Sequence, residues 1–255
     1  MVSSTDISTT SGISTLVFIL ITSLYIVLKQ KLGYKYKDPG ARKTRAILLG
    51  IYIIAVVGAQ YAFNLKITKE LCGSSQTGVS FLMTVIPNLF LFGLIIIIFS
   101  FFPGWKSPFS NTFGYIGAWL AGTRRVFLDL KSTADICGNE LIQEVYDNPE
   151  IMINEITPSN FDTYMVELKK NKVIGVGADK YFSTLYKLVT LKDSISEWMW
   201  FALVGTLVIA ISYTGITEIS CQRSTTQMMV AHTNWAKEQN KETAEPPPKV
   251  YYTRE

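Results

Sequence analysis

The chain has 255 residues, 48% hydrophobic and only 17% charged, with a formal net charge of +4. Soluble domains usually carry about 25% charged residues, so the balance leans away from an ordinary soluble domain and toward a membrane. Three cysteines (Cys72, Cys137, Cys221) and one histidine (His232), with no CxxC or CxxH spacing, argue against a disulfide-dense scaffold or a structural zinc site.

A hydrocarbon layer about 30 Å thick requires roughly 20 apolar helical residues, and four segments approach that length. The first, 13–28, follows Ser, Thr and Asp6 with no basic residue; its basic residues come after it, from Lys29. A cleavable signal has the reverse order, so this run is expected to be a retained span. Softened by Ser14, Thr15, Thr22 and Ser23, it should recruit residues before it.

The connection to the next span holds Lys29, Lys31, Lys35, Lys37, Arg42, Lys43 and Arg45 against a single acid, Asp38. A short, basic loop of this kind is the positive-inside signal and is expected in the cytoplasm. There these seven residues should meet lipid head groups or an acidic partner, at about 1 kcal/mol per basic residue. The loop from Lys66 to Gly78 and the tail after Ile216 would then be lumenal. Cys72 and Cys221 would share that side, either as a disulfide or as two free thiols.

The second span, 46–65, contains Gln60 and Asn64; the third, 79–102, contains Pro87-Asn88 and ends in LIIIIFSFF. Pro87 is expected to kink its helix, and Asn88 to hydrogen-bond to a neighbour for about 0.6 to 2 kcal/mol. Asn64, Pro87 and Asn88 are therefore helix-packing residues. The apolar segments carry no acid or base of the kind that lines ion and proton pathways, and no internal repeat is visible. The fourth span runs from Trp198 to Ile216 within 196–216. Ser194 and Glu197 have capping-box spacing, and Trp198 and Trp200 suit an interfacial aromatic belt.

Residues 103–195 form the only candidate for an extramembrane domain. Its opening, FPGWKSPFSNTFGYIGAWLAG, carries Trp105, Phe109, Phe113, Tyr115 and Trp119. These could line an element lying in the interface, with Arg124 and Arg125 on head groups, or form the core of a small domain. A helix is expected over 132–147, stopped by Asn148-Pro149, and then an extended piece at 151–156. Thr157 as N-cap and Pro158 in the first turn would open another helix, with Ile156 and Phe161 as a staple. That helix ends in Lys169, Lys170 and Lys172, and a last amphipathic helix starts near Asp179. Gly175 and Gly177 lack the further glycine and GK[ST] of a nucleotide loop and read as a turn. The tail, 217–255, is polar, contains Pro246-Pro247-Pro248 and should be flexible or extended.

Catalysis near neutral pH recruits His, an activated Cys or paired carboxylates. His232 sits in the tail, Cys137 has no His in its own domain, and Glu140, Glu144 and Asp147 read as a solvated face. No enzyme activity, metal, cofactor or nucleic-acid partner is expected. The fold class expected is an all-α integral membrane protein with about four transmembrane helices. A small, mostly helical extramembrane domain lies between the third and fourth.

The segment FFPGWKSPFSNTFGYIGAW, followed later by NPEIMINEITPSNFDTYM, resembles a pattern in membrane and minor capsid proteins of large icosahedral double-stranded DNA viruses, the chlorella-virus, iridovirus and marseillevirus relatives. The resemblance rests on 102–115 and 154–162. It implies a structural virion protein that ties an internal membrane, derived from a host membrane, to the capsid shell. Other capsid or membrane proteins would then meet domain 103–195 and the tail. Trp105, Phe109, Asn111, Phe113, Arg124 and Arg125 are the residues expected to make such contacts. A channel or transporter subunit, with Asn64 and Asn88 in its pathway, and a cellular membrane scaffold or assembly factor are the alternatives.

Overall fold

The computed structural model describes residues 4–131, 146–175, 177–218, 221, 229–230 and 232–237. It divides into two units, 1–218 and 219–255. In the second, residues 229–230 and 232–237 are helical, where the composition suggested flexible or extended chain; the proline run lies outside the described residues. The local sequence, MMVAHTNWAKE, is free of Gly and Pro and holds good helix formers, which outweigh the polar surroundings.

All regular structure described in the first unit is helical. Helix α1 spans Ser4–Leu28 and continues as a π-helical turn, Lys29–Gly33. It does recruit the residues before 13. Helix α2 spans Ala41–Cys72. Its C-terminus is closed by Gly73 in the left-handed conformation, whose N–H bonds the carbonyl of Lys69. Next come α3 (Thr77–Pro87), a π-helical turn (Asn88–Phe92) and α4 (Gly93–Phe101). Short pieces follow: α5 (Ser107–Phe109), a π-helical turn (Ser110–Gly114), α6 (Tyr115–Leu120) and α7 (Thr123–Lys131). Then come α8 (Pro149–Glu155), α9 (Phe161–Lys170) and α10 (Asp179–Glu218).

Among the described residues, four helical stretches are long and apolar enough to cross a membrane: Thr9–Gly33, Ala41–Cys72, Thr77–Phe101 and Asp179–Glu218. Their packing inverts that of a soluble bundle. Leu16, Leu20 and Leu24 are each more than half exposed on α1, while Ser14 and Thr22 face inward beside Phe18 and Tyr25. A soluble helix turns its apolar stripe to the core; here the widest apolar stripes face out.

Inside, Tyr25, Tyr52 and Phe201 stack, with Phe18 and Phe92 edge-on or tilted around them. Polar groups in this interior bond to one another. Pro87 lacks the N–H that would reach the carbonyl of Met83, four residues back. Ser212 Oγ of α10 donates to that carbonyl at 2.6 Å. Gln60 Nε2 donates to Ser212 Oγ at 2.9 Å, and Asn88 Nδ2 donates to Gln60 Oε1 at 2.6 Å. Asn64 Nδ2 donates to Thr84 Oγ1 at 2.7 Å. The hydrogen bonds of Asn64, Asn88, Gln60 and Ser212 thus join α2, the α3 stretch and α10.

Three local expectations are corrected. Residues 151–155 are helical and only Ile156 is extended: Pro149 sits at the first turn of α8, where its fixed φ favours a helix start. The helix expected from Pro158 begins instead at Phe161, because Thr157 and Asn160 bond each other's backbone N–H reciprocally and delay the first turn. Ser194 is no helix cap, since α10 runs unbroken for 40 residues. Most of the helix expected over 132–147 lies outside the described residues.

A second core, built from Phe127, Leu130, Ile153, Phe161, Leu185 and their neighbours, gathers the 103–195 segment around the first half of α10. The segment 107–120 reaches α10 through small residues: Ser110, Gly114 and Ala118 are buried. A Cβ on Gly114 would stand 2.5 Å from the carbonyl oxygen of Lys192, and one on Gly117 would meet Ile195. Gly114→Val should therefore loosen this segment at a cost of about 2 kcal/mol, visible as a lowered unfolding midpoint in detergent. An unchanged midpoint would show that the close approach carries no weight.

Candidate functional site

Two candidate spans end in charge at the same end of the bundle. Lys29 opens the π-helical turn after α1, and Glu197 lies on α10 one residue before the apolar run. Lys29 Nζ donates to Glu197 Oε1 at 2.6 Å and also to Oε2, with both side chains under a tenth exposed. Tyr25 OH donates to Glu197 Oε1 at 3.2 Å. Lys106, from the turn after α4, approaches from above, its Nζ 2.9 Å from Asp193 Oδ2 and 3.4 Å from Glu197 Oε2. Tyr34 OH donates to Asp193 Oδ2 at 3.4 Å. Three segments distant in sequence are thus tied at one point.

Burial works against the charge on Lys106, but the carboxylates of Asp193 and Glu197 more than offset it and hold the ammonium above the ordinary lysine range. Burial, and then the charges of Asp193 and Glu197, push the Tyr34 phenol up. Burial and the hydrogen bond to Asp162 push Tyr36 up to about 12. Burial pushes Tyr146 up to about 12 as well.

One turn away, Lys192 Nζ is buried and donates to the carbonyls of Ile153 and Asn154, at 2.7 and 3.3 Å, and to Asn111 Oδ1 at 3.3 Å. The cation closes the C-terminal end of α8, where carbonyls lack helical partners.

Beside the ion pairs lies an open cavity of about 400 Å³, bordered by Lys29, Arg42, Arg45, Lys106, Glu197 and Phe99. Arg45 Nη1 donates to the carbonyl of Gly33 at 2.9 Å, and its guanidinium lies over the Tyr34 ring. Among the described residues, no three His, Cys, Asp or Glu side chains converge as metal ligands.

The expected contact residues divide. Lys31, Lys35, Lys37, Arg42 and Lys43 are exposed and Arg45 is half-buried. Lys29, expected at a head-group surface, is instead buried against Glu197, because a carboxylate at the matching end of α10 captures it. Trp105, Phe113 and Trp119 are more than half exposed, so they are not the core of the small domain; Tyr115 packs against that core, whose buried members begin at Ala118. Phe109 is half-buried, packed edge-on to Trp200 with ring centroids 5.1 Å apart. Asn111, Arg124 and Arg125 are exposed, Asn111 serving Lys192 as described. Trp198 Nε1 donates to Ser23 Oγ at 3.0 Å. Cys72 and Cys221 are each disulfide-bonded.

The sequence reading missed Lys106, Lys192, Asp193 and the pairing role of Glu197. A signal existed: Lys29 directly follows the first apolar run and Glu197 directly precedes the fourth, on the same side of the bundle by the positive-inside argument. No protein-family model, curated protein or solved structure matches the chain significantly.

Replacing Glu197 with Gln should destabilise the bundle by about 3–5 kcal/mol, since it strands Lys29 in a buried setting. Lys29→Met combined with Glu197→Leu should recover most of that loss, because a well-packed apolar pair replaces both charges. Equal unfolding midpoints for the single and double variants would refute the burial argument. The tyrosines set a separate alkaline limit. Their folded pKa values lie above the unfolded value of about 10, so their contribution is intact below pH 10 and is lost as pH climbs toward 12. Tyrosinate absorbance and helicity should change together in that window.

Proposed function

We propose that the chain is an integral membrane protein that crosses the bilayer four times. Its 103–195 domain and its 29–45 loop would lie on the cytoplasmic side, and its role would be structural. The observation that carries this reading is α10, one 40-residue helix serving both the apolar bundle and the small domain. With the Glu197 ion pairs fastened across its middle, it fixes the domain to the bundle. The segment 107–120 adds support: it turns small residues to α10 and Phe113, Ile116, Trp119 and Leu120 outward, as an element lying in the membrane interface would.

The particular structural role we propose is that of a minor capsid component, fastening the shell of a virus particle to its internal membrane. It rests on the resemblance of 102–115 and 154–162 to membrane proteins of large icosahedral DNA viruses. Partners would meet Trp105, Asn111, Arg124 and Arg125. Gln60, Asn64 and Asn88 are engaged in hydrogen bonds between helices, which favours packing over a transport pathway. We propose no catalytic role.

Reconstitution into vesicles with brominated acyl chains tests the membrane placement. Trp105 and Trp119 fluorescence should be quenched, and Trp119→Phe should remove part of the quenched signal. No quenching would mean that the segment stands clear of the bilayer. Lys35→Cys should be labelled only from the cytoplasmic side. For the capsid role, crosslinking mass spectrometry of purified particles should join 103–195 to shell proteins; particles lacking the protein would leave the cellular scaffold.

A further inference from the structure

The cavity beside the ion pairs is not lined by charge alone. Its polar mouth is bordered by Lys29, Arg42, Arg45, Lys106 and Glu197, and its floor by Ala46, Leu49, Ile96 and Phe99. Ile96 is also a wall of a second hollow, of about 260 Å³, which continues along α2 and the third candidate span. That hollow is lined by Ile53, Val57, Val85, Leu89, Phe92 and Gly93, among others, and is almost wholly apolar. From Ser100 down to Val85 the two together follow about 22 Å of helix. A basic pocket and an apolar groove thus lie end to end along the bundle, with Ile96 bordering both.

The charges do not cancel. Lys29 is paired with Glu197, and Lys106 with Asp193 and Glu197. Arg42 and Arg45 have no carboxylate partner among the described residues, and Arg42 is exposed at the mouth. Two surplus guanidinium groups favour a ligand of net negative charge, and guanidinium matches phosphate with paired N–H donors. Gly93 has open space where a side chain would be: a Cβ there meets no heavy atom within 4 Å. The groove at that point is shaped by a missing side chain on the surface that the membrane reading turns to lipid.

We propose that this composite site binds one anionic glycerophospholipid, with its phosphate between Arg42 and Arg45 and an acyl chain laid along the Gly93 groove. The proposal deepens the membrane reading and rests on it. A zwitterionic lipid satisfies the groove but brings its own cation to a mouth that already holds two unmatched ones. Free phosphate satisfies the mouth and leaves the groove empty.

Native mass spectrometry of the full-length protein, in detergent doped with equal phosphatidylglycerol and phosphatidylcholine, tests this. The wild-type protein should retain phosphatidylglycerol at least about tenfold over phosphatidylcholine, the ratio expected for one charge-assisted contact. Arg42→Glu, at an exposed position, should abolish that preference while leaving some lipid bound. Gly93→Leu should cut retention of both lipids by about tenfold, since its side chain enters space that no protein atom holds. Equal retention of the two lipids by the wild type would overturn the head-group assignment. Undiminished retention by Gly93→Leu, or displacement of lipid by millimolar inorganic phosphate alone, would overturn the acyl-chain assignment. Flotation with vesicles separates the two readings: protein that floats with neither lipid fails the membrane reading, and protein that floats with both but shows no preference fails only this one.

Discussion

Glu197 is the point on which one end of the bundle depends. A carboxylate 4% exposed among apolar helices is tolerable only if cations come to it. Lys29 and Lys106 do so, and each brings a chain segment with it. The π-helical turn after α1, the sharp turn after α4 and the middle of α10 are all located by this one charge. Tyr25 and Tyr34 complete the shell, the first on Glu197 and the second on Asp193. Breaking the cluster would release the small domain as well as the bundle, because α10 belongs to both.

Small residues perform the complementary task. Ser110, Gly114 and Ala118 let the 107–120 segment lie close on α10, which turns Phe113, Ile116, Trp119 and Leu120 outward. The outward aromatic stripe is thus a consequence of close packing, in the same way that the exposed leucines of α1 follow from an interior taken up by Thr22, Phe18 and Tyr25. Both surfaces would be liabilities in water, and in the proposed bilayer both are solvated by lipid.

Much of this could be read from the residues, and the rest could not for identifiable reasons. The apolar segments were legible because length and hydropathy alone define them; their helices extend further than the segments because flanking polar residues such as Ser4 to Ser11 and Lys66 to Cys72 continue the same hydrogen-bond ladder. Asn88 as a tie between helices was legible, since an amide in an apolar run must find a partner. The Lys29–Glu197 pair was not, because 168 residues separate the partners and each had a plausible local role, as head-group contact and as cap. Pro149 misled for a related reason: proline both ends and begins helices, and only the surroundings decide which. The paired cavities need two helices placed side by side, which no periodicity in either one encodes.

The missing N–H of Pro87 has a consequence for how this chain can change over generations. It frees the Met83 carbonyl, which Ser212 meets; Ser212 receives Gln60, and Gln60 receives Asn88. With proline at 87, losing the hydroxyl at 212 would leave that acceptor bare in an apolar interior, whereas an N–H restored at 87 would cover the loss. The four positions, spread over three helices, are therefore not free to drift singly. They should be inherited as a linked set, with a substitution at one tolerated only in a background already altered at another.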